Sequence, residues 1–195
     1  CDCDASKTGT TKACELKTPF GSCTGSKTCQ GGTGWGPCEP PSSADEPDAT
    51  FADANCDGID GDIKDGIFVA TGGADTTGCG ASYTSPCKSV SVGIQRAQTE
   101  GRGWVYIQAG TYNEIVELGA GIHLVGGYDA SWTRDSRTKS GHKVVIEGGL
   151  HKKDDQYLTI RAFSLASTTK ILDLELVGPA ASGANSEGAR SSHVI

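Results

Sequence analysis

Cysteine is the residue that most restricts what this chain can become. There are nine, and six of them precede Glu39. Such clustering means either disulfides formed in an oxidising compartment or thiolates gathered around a metal. A metal knuckle shows a Cys-x-x-Cys pair, whereas the nearest spacings here are Cys1-Asp2-Cys3 and Cys23 to Cys29. Disulfides are therefore expected of Cys3, Cys14, Cys23, Cys29, Cys38, Cys56, Cys79 and Cys87, and with them a secreted or bacterial cell-surface location. An odd count leaves one cysteine over. Cys1 accounts for it either as the lipidated residue of a lipoprotein or as a cysteine paired elsewhere after a proteolytic cut. The lack of a leader reads as a chain already processed.

Residues 1–42 read as a disulfide-rich module. Cys14, Cys23, Cys29 and Cys38 are spaced almost palindromically, with turn clusters at Gly21-Ser22-Cys23-Thr24-Gly25 and Gly34-Trp35-Gly36-Pro37. Too few apolar residues lie here for a core, so each bridge has to supply roughly 2–4 kcal/mol. Residues 43–65 read as an acidic linker and metal-loop connector, and the stretch 39–52, with its prolines and acids, as an extended spacer. The remainder, 66–195, is a separate β-rich domain.

The connector carries the sharpest motif. Asp53-x-Asn55-x-Asp57-Gly58 matches the first half of a calcium loop: oxygens at alternate positions wrap a hard cation and the glycine allows the tight turn. Ile59 offers its backbone carbonyl, and Asp60 and Asp62 close the shell. Lys64 stands where an EF-hand places its bidentate Glu, so this is no EF-hand. The plain alternative is a solvated acidic turn held by Asx caps. Crowded carboxylates repel one another without a cation, which favours calcium at Asp53, Asn55, Asp57, Ile59, Asp60 and Asp62.

From Gly66 onward the pattern changes to strands. Ile67-Phe68-Val69-Ala70 is a short apolar run, and Val90, Ile94 and Ala97 fall on one face of a helix over Ser89 to Glu100. Apolar runs then alternate with glycine turns at Trp104–Ile107, Ile115–Leu118, Ile122–Val125, Val144–Ile146, Leu158–Ile160, Ile171–Val177 and Val194-Ile195. Within them the period is two (Val105/Ile107, Leu158/Ile160, Leu172/Leu174/Leu176), as in strands. Cys79 and Cys87 most simply clip one loop.

The residues Ile67-Phe68-Val69-Ala70, Ala109-Gly110-Thr111-Tyr112 with Glu114, and Leu124-Val125-Gly126-Gly127-Tyr128 resemble the opening of right-handed parallel β-helices in bacterial secreted proteins of unknown function. The cysteine module, with Cys56-Asp57-Gly58-Ile59-Asp60-Gly61-Asp62 after it, is similar to parts of MopE-type surface proteins, in which such an acidic string is a metal-binding motif. The resemblance implies a mainly β fold: a parallel β-helix of few coils whose N-terminal end is capped by the helix.

Composition excludes several functions. The net charge is −7 and no Lys/Arg cluster is present, so nucleic-acid binding is disfavoured. No apolar stretch is long enough to span a membrane. No nucleophile elbow, phosphate loop or dinucleotide fingerprint occurs, and the four histidines never pair at metal-binding spacing. The chain lacks methionine, which removes a Met-based copper site. His151-Lys152-Lys153-Asp154-Asp155, Glu114 and Glu117 are the candidates for carboxylate or base catalysis, and each reads more simply as a solvated polar position. The expectation is a calcium-stabilised, non-enzymatic structural or adhesive protein that self-associates head-to-tail into filaments through an uncapped β-helix end. The runner-up is the front of a carbohydrate-active β-helix, with polysaccharide lyase or hydrolase chemistry, or of one that binds a surface glycan.

Overall fold

A computed structural model describes residues 3–153 and 155–179, together with the backbone of Ser192 and His193. The lipidation expected of Cys1 and the terminal strand expected at Val194-Ile195 lie outside these residues, as does Asp154. The chain divides into two compact units, one ending at Ile63 and the other starting at Lys64.

The first unit is built on a hairpin of β1 (Thr11–Thr18) and β2 (Gly21–Thr28), paired antiparallel from Thr11–Thr28 to Thr18–Gly21. Alternate residues Cys14, Leu16 and Thr18 turn to the half-buried side of β1, the period-two logic of a strand with one wet face. So thin a sheet buries little, and three disulfides hold it: Cys3–Cys29, Cys14–Cys38 and Cys23–Cys56. The stretch anticipated as an extended spacer instead lies back along the hairpin. Ser26 and Glu39 exchange both backbone bonds at 2.8 Å, and Ser42 N–H donates to the Ala54 carbonyl at 2.9 Å. Its acids do not stretch the chain because they are engaged as acceptors, as described below.

The second unit opens with β3 (Gly66–Val69), followed by α1 (Val90–Glu100). Ser89 caps the helix by accepting the Val92 N–H, and Gly101 ends it in the left-handed conformation at φ 67°. The strands that follow are β4 (Trp104–Gln108), β5 (Gly110–Asn113), β6 (Val116–Leu118), β7 (His123–Tyr128), β8 (Val144–Glu147), β9 (Gly149–His151), β10 (Gln156–Leu158), β11 (Ile160–Ala162), β12 (Ile171–Leu172), β13 (Leu174–Val177) and β14 (Ser192–His193). Their sheets are short and mostly parallel: β3-β4-β7-β12, β5-β8-β13 and β6-β11, with a mixed sheet β9-β10-β14. No helix among the described residues is long and apolar enough to cross a membrane.

These sheets correct the expectation of a coiled β-helix. The described strands form separate sheets of two to four strands, mostly parallel, and not a coiled solenoid. The intervals along the chain are too unequal for a fixed repeat. Between β4 and β7 lie only β5, β6 and their turns, with Val105 paired to Leu124, whereas between β7 and β12 lie the 129–143 loop and the four strands β8 to β11, with Leu124 paired to Ile171.

Two of the expected continuous runs are also broken. Leu158–Ile160 is divided at Thr159, a fully buried residue whose hydroxyl donates to the Val177 carbonyl at 2.9 Å. Ile171–Val177 is divided at Asp173, which has φ 52°.

The core lies between α1 and the sheets. Ile67, Val105 and Leu124 stand in register across β3, β4 and β7, all fully buried. The opposite face of these strands carries Phe68, Tyr106 and Tyr128, in edge and tilted ring contacts, and Trp132 from the 129–143 loop packs edge-on against Phe68 at 4.9 Å. Strands buried on both faces read as continuous apolar runs. The outer edge of β3 is covered by the loop that Cys79–Cys87 closes: Phe68 N–H donates to Gly80, Cys87 N–H to Phe68 and Ala70 N–H to Cys87, each at 2.9 Å.

Candidate functional site: the acidic loop of the first unit

Between Glu39 and Asp65 there are nine acidic residues against the single Lys64. This segment alone is more negative than the chain's net charge of −7. The loop survives because its carboxylates take up backbone amides, the Asx-turn chemistry of short acidic side chains. The two Asp53 oxygens accept Asp57 N–H at 3.1 Å and Gly58 N–H at 2.9 Å. Asn55 Oδ1 also accepts Asp57 N–H at 3.0 Å. Asp57 accepts Ile59 N–H at 3.2 Å, Ile63 N–H at 2.7 Å and the Asn55 carboxamide at 3.1 Å. Asp60 and Asp62 are 3% and 6% exposed, Ile59 just before them is buried too, and Asp60 accepts Asp48 N–H at 3.3 Å.

Sequence reading missed one participant. Asp45, placed in the spacer, accepts Ala54 N–H at 3.2 Å and Gly61 N–H at 3.0 Å. Cys56 holds φ 58° inside the loop, and its disulfide to Cys23 pins that strained residue to the hairpin. Gly58, at φ 117°, passes so near Phe20 that a Cβ would lie 2.7 Å from the ring.

Burial pushes the Asp45, Asp53 and Asp57 carboxyls above the ordinary carboxylate range. The accepted amides pull them down, and neighbouring carboxylates push them up again: Asp48 and Asp57 on Asp45, Asp57 and Asp45 on Asp53, and Asp62 on Asp57. Anions held in this way gain from a counter-charge. The donor set, carboxylate and amide oxygen with a backbone carbonyl, is that of a hard cation. In the geometry described, however, these six expected ligands do not bring three acidic oxygens within 4.8 Å of one another. Asp53, Asn55, Asp57 and Asp60 instead accept backbone amides.

One other group does gather that closely, Asp75 with Cys79 and Cys87. It is no metal site. The two sulfurs are bonded to each other, and a ligand sulfur must be a thiolate. Asp75 is spent on the start of α1, accepting Lys88 N–H at 2.8 Å and Ser89 N–H at 3.0 Å.

The catalytic candidates are likewise placed elsewhere in the chemistry. Glu114 accepts Val90 N–H at 2.7 Å and Ser91 N–H at 2.9 Å, so it caps α1 across 24 residues of chain. Both Asp75 and Glu114 line a cleft of about 420 Å³ with Thr71, Lys88 and Tyr112, but their oxygens already serve the helix terminus. Glu117 is exposed beside His151, at 3.9 Å. His123 accepts Lys170 N–H at 3.0 Å, and buried His142 bonds the Gly127 carbonyl at 2.7 Å, so both serve the fold.

No family model, curated protein or solved structure matches the chain. The resemblance to the β-helix and MopE-type families is therefore not upheld; what stands is a disulfide-rich module beside a mainly β unit.

Proposed function

We propose that this chain is an extracellular, non-catalytic protein of structural or adhesive role, braced by calcium at the acidic loop. The observation that supports it is the set of half-buried carboxylates of Asp45, Asp53 and Asp57, which repel one another in a loop that Cys23–Cys56 ties down. A carboxylate has about four lone-pair sites, so each can keep an amide and still face a cation. Calcium binding draws the carboxylates inward and replaces mutual repulsion with attraction, stabilising the folded state by mass action. Four disulfides suit an oxidising compartment.

Head-to-tail filaments are not part of this reading. Strand addition needs a receiving edge, and the β3 edge is covered by the clipped loop.

Thermal melting in millimolar calcium, in magnesium and in chelator tests the proposal. Calcium is expected to raise the melting temperature by several degrees over chelator, and Asp57→Ala to remove the difference. Equal melting of the wild-type chain in all three buffers overturns the calcium brace.

A further inference from the structure

Three consecutive strands, β11, β12 and β13, sit in order on three consecutive strands, β6, β7 and β8. Each is the last strand of its sheet, and among the described residues no strand lies on its far side. β14 adds only to β10, one strand earlier. Residues 160–177 therefore form a rim of edge strands. The Lys170 carbonyl accepts the Leu124 N–H at 2.9 Å and so faces β7. Backbone groups alternate sides along a paired strand, so the N–H and carbonyl of Ile171 point past the sheet edge. β13 is partly closed at its start, where Arg137 Nη1 donates to the Leu174 carbonyl at 3.0 Å. The rim also carries the large apolar side chains that stand exposed among the described residues: Phe163, Leu165, Ile171 and Val177. An edge with free backbone groups and apolar side chains is a template for another strand.

We propose that this rim docks a second copy of the chain across a twofold axis, β12 against β12. Two observations select that occupant. The four-stranded sheet that β12 ends is closed at its other edge, where the Cys79–Cys87 loop covers β3. Through this sheet a copy can offer only β12, and a surface that meets itself closes as a dimer. Charge also runs in one direction along the rim: two bases, Arg161 and Lys170, precede two acids, Asp173 and Glu175. A twofold axis reverses one copy, so the basic half of each rim meets the acidic half of the other. Asp173 and Glu175 keep their partners Arg134 and Lys143, since a carboxylate has about four lone-pair sites. The rim sums to zero charge in a chain of net charge −7, so two copies repel least across it. In the antiparallel ladder the two Ile171 residues exchange both backbone bonds, and their side chains leave water together.

The test is sedimentation velocity of the intact chain at increasing micromolar concentration. It is run in chelator, so that the calcium brace proposed above does not enter. A monomer–dimer equilibrium is expected, with Ile171→Lys weakening the dimer roughly tenfold while melting as the wild type does. Hydrogen exchange of the wild-type chain reads the same contact without a substitution: the Ile171 amide is expected to be protected in the dimer and to exchange freely on dilution. A monomer at every concentration leaves the rim to some other occupant and overturns the dimer. So do oligomers that grow beyond two, an Ile171→Lys variant that pairs like the wild type, or an Ile171 amide indifferent to concentration. None of these touches the calcium-dependent melting, so the two proposals fail separately.

Discussion

The Asp45 carboxylate and the Gly61 amide, 3.0 Å apart across 16 residues of chain, join the start of the acidic segment to its end. The same Asp45 oxygen holds the Ala54 amide at 3.2 Å. Two amides thus depend on one anion. Asp45→Ala is expected to cost about 1–3 kcal/mol of stability, the range for leaving a donor without its partner. Urea unfolding of variant and wild type in calcium measures it, and an unchanged midpoint disproves the tie.

A dependence on pH follows from the raised carboxyls of Asp45, Asp53 and Asp57. A group that binds its proton more tightly when folded adds stability that is present at low pH and lost as pH rises through the folded value. Without calcium, the loop is therefore expected to be more protected at mildly acid pH, just above the ordinary carboxylate value of 3.8, than at neutrality. Hydrogen exchange at the amides of Gly58 and Ile63 reads this locally. It also avoids Asp4 and Glu15, whose lowered carboxyls act in the opposite sense elsewhere in the unit. Calcium is expected to reverse the trend.

Gly58→Ala combines two penalties. The position holds φ 117°, and the added carbon meets the Phe20 ring at 2.7 Å and Pro19 at 3.2 Å. A loss of about 1–3 kcal/mol is expected from the backbone conformation alone. Gly32→Ala, where nothing lies within 4 Å, serves as the control in the same denaturation series.

In the second unit, Arg134 is buried and pairs with Asp173 at 2.5 Å, while its Nε donates to the Gly126 carbonyl at 3.1 Å. Asp173 keeps contact with water, its side chain 23% exposed, so Arg134→Ala is expected to cost about 1.5–3 kcal/mol, the range for a lost hydrogen bond to a charged group. The double variant Arg134→Ala/Asp173→Ala is expected to be less damaging than the two single losses added together. Strict additivity in a double-mutant cycle would show that the pair does not interact.

Glu114→Ala removes the acceptor at the first turn of α1 and is expected to lower stability by about 0.5–2 kcal/mol, the range for a lost N-terminal cap. Glu114→Gln keeps an acceptor but not the charge that favours a helix N-terminus, and is expected to fall between. Helix content by circular dichroism and the melting midpoint together decide it.

Local signals were readable in the sequence; long-range ones were not. The helix expected over Ser89 to Glu100 followed from the apolar stripe of Val90, Ile94 and Ala97 and is found at Val90–Glu100, and period two placed most strands. The corners were invisible. Thr159 and Asp173 sit inside apolar runs, and only their distant partners, Val177 and Arg134, turn them into breaks. Glu114 read as a solvated strand residue because its helix terminus lies 24 residues away. The acidic loop was legible as Asp-x-Asn-x-Asp-Gly, but Asp45 belonged to it only through amides brought close by folding. The coiled solenoid failed for a related reason: short motifs fix a strand and its turn, not the interval to the next.

In the four-stranded sheet the order β3-β4-β7-β12 is also the order in the chain. With the far side of β3 occupied by the nearby Cys79–Cys87 loop, each later strand has a single open flank on which to settle. A chain delivered from its amino end can therefore build this sheet progressively, each strand after β3 finding its template already in place, while β5, β6 and β9 open the other sheets and meet their partners later.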